Sequence, residues 1–269
     1  MSHLETPAGV RLRVTARGDG PAIVLVHGWK GSHRLWDPVV ARLEATHRVV
    51  AFDLRGMGES DKPRAAYDFD ELADDLGFVI DALSVRDALL VGWSMGATVA
   101  LRYLDRGGAD VAGLVLVNGP LRLTRAPDFP HAMTNAQLEG YLTRLRDAWP
   151  AGEREFQADT VLDRNSALVD WLYAISLQTP LDVALRVVRE QAKLDMRGAL
   201  ASVRVPVLAV YSRHDPYYPA SLADDIASRA QDGQKVLFER SAHCIPIEEP
   251  DRFCEVLRAF ATGTTEQAA

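Results

Sequence analysis

Ser94 stands at the centre of Gly92-Trp93-Ser94-Met95-Gly96, where the apolar run Ala88-Leu89-Leu90-Val91 meets the helix-like run Ala97-Thr98-Val99-Ala100-Leu101-Arg102-Tyr103-Leu104. That spacing holds a serine on a strand-to-helix turn. Such a turn pushes one side chain outward, strains its own backbone and needs neighbours without Cβ atoms, which Gly92 and Gly96 supply. The chemistry implied is nucleophilic. The hydroxyl would stand over the carboxyl edge of a sheet, and the following helix would present free N–H groups and its positive dipole end to an oxyanion. In a chain with 19 glycines the pattern also arises by chance. Three further segments lift it above chance, because they supply the other parts of a hydrolytic site in the right order.

The run Ile23-Val24-Leu25-Val26 leads into His27-Gly28-Trp29 and reads as a buried parallel strand with its exit loop. Gly28 lets the backbone turn so that the Trp29 N–H points into a cleft, where with the Met95 N–H it would form an oxyanion hole. His27, at a strand end, reads as structural, its ring tying down the loop. Val207-Leu208-Ala209-Val210-Tyr211 opens into Ser212-Arg213-His214-Asp215-Pro216, which makes Asp215 the candidate acid, although Asp before Pro is also ordinary turn chemistry. Asn118 ends another strand-like run, but an amide cannot stabilise an imidazolium as a carboxylate does. His243, in Ser241-Ala242-His243-Cys244, lies on a loop after a short strand and is the candidate base. The expected catalytic set is therefore Ser94, Asp215 and His243, with Trp29 and Met95 as oxyanion donors.

These residues, together with Asp53-Leu54-Arg55-Gly56-Met57-Gly58-Glu59-Ser60-Asp61 and the Glu248-Glu249-Pro250 stretch, make the chain resemble the α/β-hydrolases, whose triad runs serine, acid, histidine. The likeness spans nearly the whole chain. It implies a serine hydrolase that opens a carboxylic ester, lactone or related acyl bond through an acyl-enzyme, a carboxylesterase-like activity. Ser94 argues against the dehalogenase and epoxide-hydrolase branches, which carry aspartate at the elbow. A cofactor-free haloperoxidase-like perhydrolase is the runner-up on His27-Gly28-Trp29 and Trp93-Ser94-Met95-Gly96. Lys30 and Ala97 depart from that branch, which usually has proline and glycine there. Carbon–carbon bond hydrolases, and a non-hydrolytic binding or cyclising protein on the same fold, are the remaining alternatives.

The elements that must position these groups alternate strand and helix, which implies an α/β fold. A hairpin at 4–6 and 10–16 and parallel strands starting at Ile23, Arg48, Ala88, Val111, Val205 and Gln234 imply a mostly parallel twisted sheet of about eight strands. Helical patterns fall at 33–45, 70–83, 97–106, 220–230 and 251–261. Residues 121–200 interrupt the alternation and read as a helical cap inserted after the sixth strand, leaving 1–120 and 201–269 as the core. Cap helices are expected at 137–148, 165–177 and 181–196, broken by Pro150 and Pro180. Phe129, Met133, Trp149 and Trp171, with Tyr141 and Tyr173, are the candidate pocket wall. The G-x-G of Gly56-Met57-Gly58 lacks the third glycine of a dinucleotide site and reads as a structural loop in which Asp53 and Arg55 pair or bond backbone groups.

The 269 residues suit one α/β domain, and a formal charge of −7 with interspersed signs gives neither a nucleic-acid stripe nor a polybasic anchor. No apolar stretch reaches the roughly 20 residues of a membrane span, and the first residues lack a signal pattern, so a soluble, cytoplasmic protein is expected. Cys244 and Cys254 read as reduced, buried thiols, and no metal-ligand spacing occurs. No cofactor is expected. The expected partner is a small-molecule acyl substrate, with neither nucleic acid nor membrane.

Overall fold

Runs such as Ile23-Val24-Leu25-Val26 are apolar at every position, and a strand of that kind is stable only where both of its faces are covered. A computed structural model of the chain describes residues 2–263. The ends of the two expected core segments, residues 1 and 264–269, lie outside the described residues. Eight strands form one sheet: β1 (Ser2–Glu5), β2 (Arg11–Arg17), β3 (Ala22–Val26), β4 (Arg48–Phe52), β5 (Ala88–Trp93), β6 (Val111–Val117), β7 (Val207–Ser212) and β8 (Gly233–Phe238). Their spatial order is β1-β2-β4-β3-β5-β6-β7-β8. β1, β2 and β4 pair antiparallel at one edge, and every other pairing is parallel.

The helices are α1 (Asp37–Leu43), α2 (Phe69–Ala82), α3 (Met95–Asp105), α4 (Asn135–Asp147), α5 (Ala151–Asp159), α6 (Ala167–Ser176), α7 (Leu181–Ala192), α8 (Arg197–Ser202), α9 (Ser221–Arg229), α10 (Ile245–Glu248) and α11 (Pro250–Ala261). Side chains alternate across each strand. Val24 and Val26 of β3 therefore join one apolar cluster with Leu72 and Leu76 of α2, Val99 of α3 and Ile226 of α9. Ile23 and Leu25 join the other, with Val39 and Leu43 of α1 and Phe253 and Leu257 of α11. Between β6 and β7 lie α4 to α8, in the stretch expected as the cap.

Several helices differ from those expected. α3 begins at Met95, so its first free N–H lies directly beside Ser94. The helix expected at 181–196 ends earlier, at Ala192 in α7, and the separate α8 starts only beyond that stretch, at Arg197. α5 is a helix that the sequence pattern does not reveal, because two of its three buried residues, Glu153 and Gln157, are polar.

The loop after β4 is held by ion pairs and backbone bonds. Asp53 and Arg55 do not pair with each other. Asp53 accepts from the His33 N–H (2.5 Å), the His33 ring (2.7 Å) and the Glu59 N–H (2.6 Å). Burial pushes the Asp53 carboxyl up, but these bonds and the neighbouring His27 and His33 hold it below its ordinary value. Arg55 makes a bidentate bond to Asp75 at 2.6 Å on each side and a third bond to Glu71. Both Arg55 and Asp75 are buried, so removing one charge strands the other. Arg55→Met is expected to lower stability by about 3–5 kcal/mol, and Arg55→Met with Asp75→Leu to recover much of that loss. Urea unfolding of the two variants checks both.

Candidate active site

The carboxyl ends of β3, β5, β6, β7 and β8 open on one edge of the sheet, the edge where ligands bind in parallel α/β sheets. Ser94 directly follows β5 with φ 56° and ψ −120°, a conformation that non-glycine residues rarely adopt. Close packing makes the turn possible. A Cβ on Gly92 would sit 2.5 Å from the Gly96 carbonyl oxygen, and one on Gly96 would drive into the Val26 and His27 carbonyls of β3 and its exit. Gly28 lies against Ser94, since a Cβ there would be 3.0 Å from the serine Cβ.

Asp215 and His243 meet through Oδ2 and Nδ1 at 2.7 Å. The Asp215 side chain is fully buried. Its Oδ1 accepts the N–H groups of Tyr217 (2.7 Å) and Tyr218 (3.0 Å), which fixes the direction of the carboxylate. The His243 loop is pinned from several sides. The Trp93 indole N–H donates to the His243 carbonyl at 3.0 Å, and the Asn118 amide donates to the Ala242 and His243 carbonyls at 3.2 Å each. Asn118 thus braces the His243 loop. The loop after α5 supplies a further tie, because the Thr160 carbonyl accepts the N–H of His243 at 2.9 Å.

His27 is buried, with Nε2 accepting from the Leu54 N–H (3.0 Å) and Nδ1 facing the Gly28 carbonyl (2.7 Å). Burial lowers its pKa, and the ring braces the loop. Cys244 and Cys254 are free and buried. Burial pushes the Cys244 thiol well up, so it is not a ready thiolate, and pushes the Cys254 thiol up to about 11.

A cavity of about 120 Å³ brings together Ser94, His243, Trp29, Met95 and Met133 on its lining. Residues 21–250 match the alpha/beta hydrolase fold family. The chain belongs to that family. Among its relatives, the AB hydrolase superfamily protein YisY of Bacillus subtilis is 28% identical over 97% of this chain and 99% of its own length. The pimeloyl-(acyl-carrier protein) methyl ester esterase of Vibrio atlanticus is 30% identical over 91% of this chain and 95% of its own. An esterase from Exiguobacterium antarcticum superposes with a TM-score of 0.92 at 24% identity, covering 97% of this chain and 99% of that one, a likeness of fold.

In this α/β-hydrolase the chain between β6 and β7 supplies half of the residues on the cavity wall, but not through all the aromatic residues expected. Tyr141 and Met133 line the cavity, whereas Phe129, Trp149, Trp171 and Tyr173 do not. Phe129 is fully buried, against His131 and the Arg197 guanidinium. Trp171 packs on the apolar cluster beneath α6, and Trp149 is half-buried before Pro150. Their places on the wall go to Phe156 of α5, Leu172 of α6, Val188 of α7 and the pair Tyr217 and Tyr218 beyond Asp215. Tyr217 stands edge-on to the His243 ring, with centroids 5.2 Å apart. The Tyr217-Tyr218 pair, directly after a candidate acid, was the one signal in the sequence that could have marked this wall. Among the described residues no helix is long and apolar enough to cross a membrane.

Proposed function

We propose that the protein is a serine esterase that hydrolyses a small-molecule carboxylic ester through an acyl-enzyme on Ser94. The observation that carries this reading is the 2.7 Å contact of buried Asp215 with His243, a residue that lines the same cavity as Ser94. His243 takes the Ser94 proton through Nε2 as Oγ attacks the carbonyl carbon, and Asp215 holds Nδ1–H and stabilises the imidazolium. The N–H groups of Trp29 and Met95 receive the developing oxyanion. His243 then returns its proton to the leaving alcohol, and a water deprotonated by the same ring releases the acid. Support for an ester comes from the methyl ester esterase relative, and the apolar lining suits an apolar acyl group. Lactones and thioesters call for the same steps.

A fluorophosphonate probe tests the nucleophile. One equivalent is expected on Ser94, mapped by peptide mass, and hydrolysis of p-nitrophenyl esters is expected to cease in parallel. Absence of labelling in folded protein would return the chain to the binding-protein alternative. Turnover that requires added peroxide would move it to perhydrolysis.

A further inference from the structure

Lys30 follows the oxyanion donor Trp29 in the chain and is a lysine where the backbone suits glycine. The Gly31 N–H bonds to the Gly28 carbonyl at 3.1 Å, which makes Trp29 and Lys30 the two central residues of a tight turn. Lys30 has φ 56°, the left-handed region. Its side chain is fully buried and reaches the equally buried Glu153 of α5, with Nζ 2.5 Å from Oε2. Nζ also sits 4.0 Å from the centre of the Trp29 ring and 4.1 Å from that of Phe156. The other Glu153 oxygen accepts from the Gln157 amide at 2.7 Å. A buried charge pair contributes little net stability over apolar residues of similar volume, so its use here calls for another explanation.

That explanation lies in what else the same segment touches. Thr160, directly after α5, accepts the N–H groups of His243 and Cys244 at 2.9 and 3.2 Å. The Trp29 indole N–H donates to the Ala184 carbonyl of α7 at 3.0 Å. One end of α5 therefore grips the oxyanion turn, and its other end grips the base loop. We propose that Lys30 and Glu153 are positioning residues, whose ion pair sets the tilt of the Gly28–Gly31 turn, and hence of the Trp29 N–H, relative to Ser94 and His243. In this arrangement α5 is the part of the cap that makes the site competent. The inference rests on the assignment of Trp29 as an oxyanion donor to Ser94 chemistry.

The test compares Lys30→Met, Glu153→Gln and the double variant Lys30→Met/Glu153→Leu. The double variant leaves no charge unpaired and is the one expected to stay folded. In it, kcat for a p-nitrophenyl ester is expected to fall about 10²-fold, the size of effect of a displaced oxyanion donor, with KM within about threefold of wild type. Fluorophosphonate labelling should slow by a similar factor yet still reach one equivalent on Ser94. A folded double variant with wild-type kcat, or one in which only KM changes, overturns the proposal. Absence of labelling in the wild type would instead sink the serine-esterase reading, so the two failures are distinct.

The wild-type pH profile tests the same idea without a substitution. Burial lowers the Lys30 pKa to about 8, against the opposing pull of Glu153. Glu153 is the titratable group that faces it, and Tyr141 of α4, which feels the Glu153 charge, is held protonated by burial. As pH rises through about 8 Lys30 gives up its charge and Glu153 loses its cation, so the ion pair is broken and kcat should fall while KM holds. Unfolding would not explain that fall: the folded-state value lies below that of a free lysine, so the Lys30 contribution to stability rises with pH in this window. A kcat level to pH 10 in folded protein overturns the proposal.

Discussion

Ser94→Ala is expected to reduce ester turnover by about 10⁴- to 10⁶-fold, the range for loss of a serine nucleophile that acts as a unit with its base. The residual rate would come from the oxyanion amides and from binding, which the substitution leaves in place. The fold should survive. Ser94 precedes α3, but its side chain makes no capping hydrogen bond, so removing the hydroxyl takes no support from the helix. Alanine would inherit the strained φ of 56° that serine already tolerates. Steady-state kinetics with urea unfolding on the same preparation checks both halves. Turnover within tenfold of wild type in folded Ser94→Ala would falsify the nucleophile assignment.

Asp215→Asn is expected to lower turnover by roughly 10²- to 10⁴-fold while leaving the protein folded. The two backbone N–H groups of Tyr217 and Tyr218 already claim Oδ1. In asparagine that position must be the amide oxygen, which turns the NH₂ group toward His243 Nδ1. An NH₂ group only donates, so Nδ1 has to accept and the ring proton moves to Nε2, the atom that must take the Ser94 proton. The rate falls because the ring holds the wrong tautomer, and nothing needs to unfold. Asp53→Asn is the control. Asp53 takes three donors from His33 and Glu59, so its replacement should lower stability and leave turnover per folded molecule within about tenfold. Equal damage to chemistry from both, in folded protein, would mean that the acid had been placed on the wrong strand.

What local spacing can carry is legible in the chain. Apolar runs covered on both faces, glycines flanking Ser94, and polar residues placed just after strands mark the sheet, the elbow and the groups at its carboxyl edge, because the backbone in each case constrains only a few neighbouring residues. The rest depends on how distant segments pack. The 2.7 Å contact between Asp215 and His243 depends on how two separate strand exits lean toward each other. The support that Asn118 gives the His243 loop is of the same kind. The cavity wall took Phe156, Tyr217 and Tyr218 in place of Phe129, Trp149 and Trp171, since helical spacing shows which face of a cap helix is apolar but not which neighbour that face meets. α5 was illegible for a stricter reason. Its buried glutamate is tolerable only because a lysine 123 residues earlier in the chain comes within 2.5 Å of it, and no pattern inside the helix records that partner.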